Sequence, residues 1–188
     1  FATASSISEC LRDIEHQSGF KIKEILVSVS GEEVSSTNSV GQAAISEKEV
    51  TARDIENALN MSSTLKIPND KTLLYVVPNS FFIDGQGNID DPLGMNGIKL
   101  EARSHLIHCS KNTKDNIKKC LKVSSSGIGI RKYFYSQLGV AHSVLTDYQK
   151  KLGVCVLDIG AGTTDISVYQ NGSITFSKVL PYAGDYIT

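Results

Sequence analysis

Apolar residues at Ile7, Cys10, Leu11 and Ile14 are spaced three and four apart, and Gly19 follows them. That spacing predicts an amphipathic helix closed by a glycine at its C′ position. From residue 23 the period changes to two, with Ile25, Val27 and Val29 on one face of a strand over 23–30. Ser30-Gly31 supplies a turn into a second strand that ends near Ile45. Ser46 with Glu49, and Thr51 with Asp54, have the spacing of capping boxes, so a helix is predicted to start here and to turn Ile55, Ala58, Leu59, Ser62 and Leu65 inward. Ile67-Pro68-Asn69-Asp70 ends it.

Residues 71–84 are rich in Leu, Tyr, Val and Phe, but Pro78 has no N–H for a ladder, which predicts a strand that is bulged or lies at a sheet edge. A turn-rich excursion over 85–97 leads to a returning strand over 98–109. Residues 111–123 read as a helix with Ile117 and Leu121 inward, 128–134 as a short strand, and 136–150 as one further helix. Strand, helix, strand and helix in succession imply a parallel α/β layer with right-handed crossovers. Residues 153–157 are short, apolar and β-branched, as a buried strand should be, and 165–169 alternate like a second strand. Asn171-Gly172 predicts a two-residue type I′ turn into a last strand over 173–180.

Composition narrows the class without naming a function. The chain has 188 residues, 40% of them hydrophobic and 21% charged, within the range of an ordinary globular protein. A net charge of -1, with no Lys/Arg stripe, offers no footprint for nucleic acid. Cys10, Cys109, Cys120 and Cys155 are scattered without CxxC pairs, which suits a reducing compartment, and Cys155 is expected to be an inert core thiol. No apolar run is long enough to span a bilayer, and no signal-peptide pattern is present. A start at Phe1 without Met and an end at Thr188 read as a piece cut from a longer chain.

The chemistry is concentrated in Asp158-Ile159-Gly160-Ala161-Gly162-Thr163-Thr164-Asp165-Ile166, which joins two predicted strands. Glycines at 160 and 162 allow positive φ and put no Cβ between the backbone amides and an incoming oxyanion. Asp158, at the strand end, is placed to hold Mg²⁺ through its waters, because Mg²⁺ keeps much of its hydration. Thr163 and Thr164 would add hydroxyl and amide donors, and Ala161 is tolerable there if its φ is negative. Asp165 is expected to point to the other strand face and to play only a supporting role. A tight β-turn with an exposed Asp is the plain alternative, and it is the commoner object.

The stretch 152–188 resembles the second phosphate motif of the actin, sugar-kinase and Hsp70 ATPase superfamily. Within it, Leu152-Gly153-Val154-Cys155-Val156-Leu157-Asp158-Ile159-Gly160, followed by Lys178-Val179-Leu180-Pro181-Tyr182-Ala183-Gly184, is similar to FtsA, the family of bacterial actin-like cell-division proteins. Ala161 departs from the pattern, which commonly has a third glycine there. Val50-Thr51-Ala52-Arg53-Asp54-Ile55-Glu56-Asn57, residues 88–97 and His105-Leu106-Ile107 extend the likeness at lower specificity. The resemblance implies an α/β fold: actin-like (ribonuclease H-like) partial domains with an inserted small α+β subdomain. Residues 1–29 and 105–150 would belong to the first actin-like half, 30–104 to the FtsA-specific insertion, and 151–188 to the start of the second half with its phosphate-binding hairpin.

The same resemblance implies ATP and Mg as cofactors. Gly160, Ala161, Gly162, Thr163 and Thr164 would clamp the β- and γ-phosphates while Asp158 orders the Mg²⁺ shell, and ATP would act mainly as a switch. It implies a protein that anchors the FtsZ ring to the cytoplasmic membrane and associates with itself, and that recruits cytosolic segments of other division proteins through 30–104. The implied location is cytoplasmic and peripheral to the inner face of the membrane, with attachment through a carboxy-terminal amphipathic helix absent from this sequence. Activity would be at most that of a weak ATPase, and a chain with one of two phosphate loops is expected to be inactive alone. Two alternatives stay open: a PilM-like scaffold ATPase of pilus assembly, and a nucleotide-independent interaction module.

Other clusters carry less. His105 and His108 are an odd number apart on a strand, point to opposite faces and cannot share a metal. Gly127-Ile128-Gly129-Ile130 has no third glycine at the dinucleotide offset and reads as a turn, and no GxxxxGK[ST] loop occurs. Glu32-Glu33 and Asp90-Asp91 read as solvated turns.

Overall fold

The computed structural model describes residues 2–64, 67–124 and 127–186. Helix α1 (Ala2–Ser18) stops at Gly19, whose φ of 71° carries the left-handed conformation and whose N–H bonds Glu15 O at 3.0 Å. Its partner is helix α3 (Lys111–Ser124), joined by Ser8 Oγ–H to Ser124 O at 2.9 Å and Ser124 Oγ–H to Ala4 O at 2.7 Å. The predicted apolar stripe is only partly covered, and Ile14 stays 47% exposed.

Strand β1 (Glu24–Val29) pairs in parallel with strand β6 (Gly129–Tyr135), so everything between them in the chain is one long excursion from this pair. The Gly127–Ile130 stretch is therefore not all turn: Gly127, with φ 117°, makes the turn, and Gly129 already opens β6. Inside the excursion, β2 (Ser35–Ala44), β3 (Lys71–Ile83), β4 (Gln86–Ile89) and β5 (Lys99–Ser110) form an antiparallel sheet in the order β2-β5-β3-β4. β3 lies inside this sheet rather than at its edge. The proline is accommodated by a register shift between Pro78 and Ser80, where the ladder needs no N–H. The 85–97 excursion contains the short strand β4, which the pattern of small residues there did not announce.

Helix α2 (Ala52–Thr64) covers one face of this sheet. Thr51 caps it: Thr51 N–H donates to Asp54 Oδ2 at 2.9 Å and Asp54 N–H to Thr51 Oγ1 at 3.3 Å, the reciprocal pair of a capping box. Ser46 does not cap a helix with Glu49; its hydroxyl donates to Asp54 Oδ1 at 2.8 Å, and three hydroxyl and amide donors from Thr51 and Ser46 hold the Asp54 carboxyl down at about 2. Val50, Ala58, Phe81, Ile83, Leu100 and Ala102 form the core beneath α2, where full burial of a side chain as large as Leu100 contributes about 1.5–3 kcal/mol. Leu65, predicted to face inward, lies outside the described residues.

β5 is buried on both faces from Ser104 to Cys109. Alternate side chains serve two cores, because Ile107 and Cys109 join Val29, Val34, Leu74 and Tyr135 on the face away from α2. The histidines divide in the same way: His108 meets Ser35 Oγ at 2.8 Å and Thr37 Oγ1 at 3.3 Å, while His105 meets Asn38 Oδ1 at 2.6 Å and Ser177 Oγ at 2.9 Å.

After β6 the single helix expected over 136–150 is two, α4 (Ser136–Val144) and α5 (Asp147–Leu152). Thr146 breaks it by capping α5 in a full capping box with Gln149. Strands β7 (Val154–Ile159), β8 (Thr164–Gln170) and β9 (Ser173–Leu180) form a separate antiparallel sheet. The β8–β9 turn has φ 53° at Asn171 and 86° at Gly172, the signs type I′ requires. Only one face of this sheet is packed, by Val156, Tyr169 and Ile174 against Ala141. β7 is therefore not a buried strand: Leu157 and Ile159 are 58% and 59% exposed, and Cys155 is an exposed thiol, not a core one. All three lie at odd positions, on the face that no described element covers.

Two outcomes follow from this packing. A Cβ on Gly41 would sit 2.0 Å from Ala58 O and 2.3 Å from Ser62 N, both backbone atoms of α2, so Gly41→Ala is expected to lower urea-unfolding free energy by about 3 kcal/mol or to prevent folding. Burial, with some help from the charge of His108, pushes His105 down to about 4, below the roughly 6.5 of an unfolded chain. Between those values the unfolded state binds more protons, so stability is full above about pH 6.5 and falls as pH drops toward about 4. Urea midpoints measured across that window should fall with pH, and the slope should flatten in His105→Gln.

Candidate functional site

β7 and β8 bring Asp158 and Asp165 opposite one another, with Ile159 opposite Thr164 one step nearer the turn. Directly opposed cross-strand residues share a face, so Asp165 does not point away from Asp158 as alternation from the turn had suggested. Each carboxylate has its own donor from the junction of β6 and α4. Tyr135 O–H reaches Asp165 Oδ1 at 3.3 Å, and Gln137 Nε2–H reaches Asp158 Oδ2 at 2.7 Å. Like charges placed opposite are destabilising, and these donors offset part of that.

The two acids differ in surroundings. Asp165 is buried, and burial raises its pKa; the Tyr135 hydrogen bond works against that rise and the nearby charge of Asp158 adds to it. Burial, and then the charge of Asp165, push the Tyr135 phenol well above its usual range. Asp158 is exposed at the strand end. Gln137 is fully buried, and its Oε1 has no hydrogen-bond partner among the described residues.

The four residues from Gly160 to Thr163 close the hairpin through Gly160 N–H to Thr163 O at 3.0 Å. Two further bonds orient it: Gly184 N–H to Gly160 O at 3.0 Å, and Asp185 N–H to Ala161 O at 2.9 Å. In a planar trans peptide the C=O and the next N–H point in opposite directions. The N–H groups of Ala161 and Gly162 are thereby turned away from Gly184 and Asp185, toward the open side. Among the described residues no acceptor engages the amides of Ala161, Gly162 or Thr163.

Of the two reasons expected for the glycines, positive φ is one that the turn does not use. Neither Gly160 nor Gly162 has a positive φ, and neither does Ala161, so left-handed geometry is not what the turn requires. Gly160 is a matter of close approach, since a Cβ there would lie 3.2 Å from Thr163 O. A Cβ on Gly162 would meet nothing within 4 Å, so the space beside this position is open. The Thr164 hydroxyl donates to Tyr182 O at 2.7 Å and is committed to the turn, whereas Thr163 is half-buried beside the free amides.

This donor set fits an anion with a hydrated divalent cation beside it. Backbone N–H groups face one opening, an exposed carboxylate flanks it, and a buried amide oxygen lacks a donor. Among the described residues no group of three or more His, Cys, Asp or Glu is assembled to ligate a metal directly. Tyr135 and Gln137 escaped sequence reasoning because they lie 30 and 21 residues from the acids they hold, with no motif linking them.

Known proteins resemble both the inserted sheet and the hairpin region. The family model for the SHS2 domain inserted in FtsA matches residues 31–108, and the model for cell division protein FtsA matches 155–188. The cell division protein FtsA of Pseudomonas aeruginosa is 37% identical over 187 residues, covering 100% of this chain and 44% of that protein. The proteins of the same name from Escherichia coli K12 and Neisseria meningitidis serogroup B are 35% and 36% identical, and cover 97% and 100% of this chain and 43% and 45% of their own lengths. The chain thus spans less than half the length of these relatives. Among solved structures, a chain of the PilM-PilN type IV pilus biogenesis complex superposes with a TM-score of 0.61 at 13% identity, over 98% of this chain and 49% of its own, which bears on fold alone. With an SHS2 insertion between β1 and β6 and a hairpin after them within the stretch that the FtsA model matches, on an actin-like α/β frame, the chain belongs to the FtsA family of cell-division proteins.

Proposed function

We propose that this chain is part of an actin-like ATP-binding protein that anchors the FtsZ ring to the cytoplasmic membrane and recruits other division proteins. The observation that carries the nucleotide half of this reading is the pair of Ala161 and Gly162 amides held outward beside Asp158. Ala161, Gly162 and Thr163 would cradle phosphate through backbone donors, with Gly160 closing the turn onto Thr163 O and Thr164 bracing it from behind. Asp158, fixed in rotamer by Gln137, would orient the waters of Mg²⁺. Mg²⁺, when bound, neutralises charge on the phosphate oxygens. Residues 1–29 and 105–150 would then belong to one actin-like half, 30–104 to the insertion and 151–188 to the opening of the other half.

The insertion is the part of this chain suited to protein contacts. Its sheet ends in the short strand β4, and the loop after it leaves Leu93, Met95 and Ile98 57%, 41% and 79% exposed. FtsZ, further copies of the protein and cytosolic segments of division proteins are the partners that family membership brings to the reading. Among the described residues no helix is long and apolar enough to cross a membrane, so attachment would rest on a peripheral segment of the whole protein.

The test is calorimetric titration of Mg-ATP into the longest soluble form of the protein. Asp158→Ala is expected to weaken binding at least about tenfold, the scale of losing a ligand-orienting carboxylate. Gly162→Val is the sharper variant, because a Cβ there meets nothing within 4 Å: thermal stability should stay within about 0.5 kcal/mol of wild type while nucleotide binding is lost. Absence of any nucleotide-dependent heat in the unmodified protein would remove the ATP reading and leave the nucleotide-independent interaction module.

A further inference from the structure

We propose that the four-stranded sheet holds the β7–β8 turn in place through β9. The connection is a seam of side-chain hydrogen bonds centred on Asn38, His105 and Ser177, so that displacing the sheet loosens the turn. β9 is the outer strand of its sheet, and an outer strand leaves alternate carbonyls without ladder partners. Here β2 supplies the partners. Ser36 Oγ–H donates to Ser177 O at 2.8 Å, and Asn38 Nδ2–H donates to Thr175 O at 3.1 Å. The two donors are two residues apart on one strand and the two acceptors two apart on the other, so the common strand repeat keeps them in register. Thr175 is the residue that the β8–β9 pairing skips, between Ile174 opposite Tyr169 and Phe176 opposite Val168. That bulge is what frees its carbonyl for Asn38.

The seam is directional as well as matched. The Asn38 amide nitrogen is occupied with Thr175 O, and its Oδ1 can only accept, so His105 Nδ1 must carry the proton that bonds it at 2.6 Å. His105 Nε2 then accepts from Ser177 Oγ–H at 2.9 Å. The chain of donors therefore runs Ser177, His105, Asn38, Thr175, from β9 through β5 and β2 and back to β9. His105 and Ser177 are buried, at 1% and 7% exposure, so a missing member leaves an unpaired polar group behind. A fifth contact, Ser173 Oγ–H to Pro78 O at 3.1 Å, ties the start of β9 to the bulge in β3.

From the seam to the turn the path is continuous. Leu180 at the end of β9 pairs with Thr164 at the start of β8, and Tyr182 O accepts from Thr164 Oγ1. Gly184 and Asp185 then hold the carbonyls of Gly160 and Ala161, the two bonds that aim the turn. Residues 173–185 form a strap with the insertion at one end and the turn at the other. The seam between the sheets is not a closed core: a cleft of about 360 Å³ lies along it, lined by Thr37, Asn38, His105, Phe176 and Lys178 among others. Polar, incompletely packed contacts between chain units are the kind that open and close. The inference concerns the turn's mobility and does not depend on what the turn binds.

Amide hydrogen exchange, read residue by residue by NMR on this 188-residue chain, tests it. Ser177→Ala, which deletes one hydroxyl, and Asn38→Ala, which deletes two contacts, should each speed exchange at Gly160, Gly184 and Asp185 by about tenfold. Leu106 and Ile107 in the β3–β5 ladder should stay within about twofold of wild type, because only a local opening is involved. The double variant should be no faster than Asn38→Ala, as members of one network are not additive. Faster exchange confined to β2 and β9, with Gly160, Gly184 and Asp185 unmoved, would overturn the coupling. So would an equal rise at Leu106 and Ile107, which would mean general destabilisation.

Discussion

Two hydrogen bonds decide which way the β7–β8 turn faces. Once Gly184 and Asp185 have taken the carbonyls of Gly160 and Ala161, peptide planarity leaves the following amides no choice of direction. The outward facing of the turn's amides is thus imposed from outside it, by a segment some twenty residues further along the chain. Gly162 leaves open space beside the turn, and Gly160 lets the turn close against Thr163. Neither glycine is there for a left-handed backbone.

The carboxylates obey the same logic of support from elsewhere. Asp158 and Asp165 stand opposite each other because antiparallel register puts them there, and an unrelieved like-charge pair would weaken the hairpin. Relief comes from Tyr135 and Gln137, the last residue of a strand and the second residue of a helix in the preceding part of the fold. The hairpin is therefore docked onto the β6–α4 junction by its own acids. Burial raises the pKa of Asp165, whereas Asp158 stands exposed at the strand end.

The insertion is tied into this arrangement at three levels. Its chain ends are set by the parallel β1–β6 pair. Its central strand, β5, contributes apolar side chains to one core beneath α2 and to a second that includes Tyr135. Its outer strand, β2, lends side chains to the free edge of β9. A sheet that faces cores on both sides cannot keep the simple apolar-polar alternation, and this is why β5 reads as an almost unbroken buried run from Ser104 to Cys109.

Local rules in the amino-acid order were enough for the elements whose stability is local. The glycine stop after α1, the Thr51–Asp54 cap, the Asn171-Gly172 turn and the Asp158–Thr164 hairpin are all set by residues within a few positions of each other, and they form as their spacing dictates. The Thr146–Gln149 cap was equally local and could have been found; periodicity across it masked the break. What the order of residues could not state was which faces are covered. Cys155, Leu157 and Ile159 have the pattern of a buried strand and lie exposed, because the packing of one sheet face leaves the other open. Pro78 left a bulge and a sheet edge equally open, and only the folded sheet chose the bulge, which removes the need for its N–H inside the sheet. The partners of Asp158, Asp165 and the β9 carbonyls lie 21 to 141 residues away in the chain, and only folding brings such groups within hydrogen-bond distance. Short-range geometry was written in the chain; burial, facing and long-range donors were decided by tertiary packing, since they depend on distances that spacing along a chain does not encode.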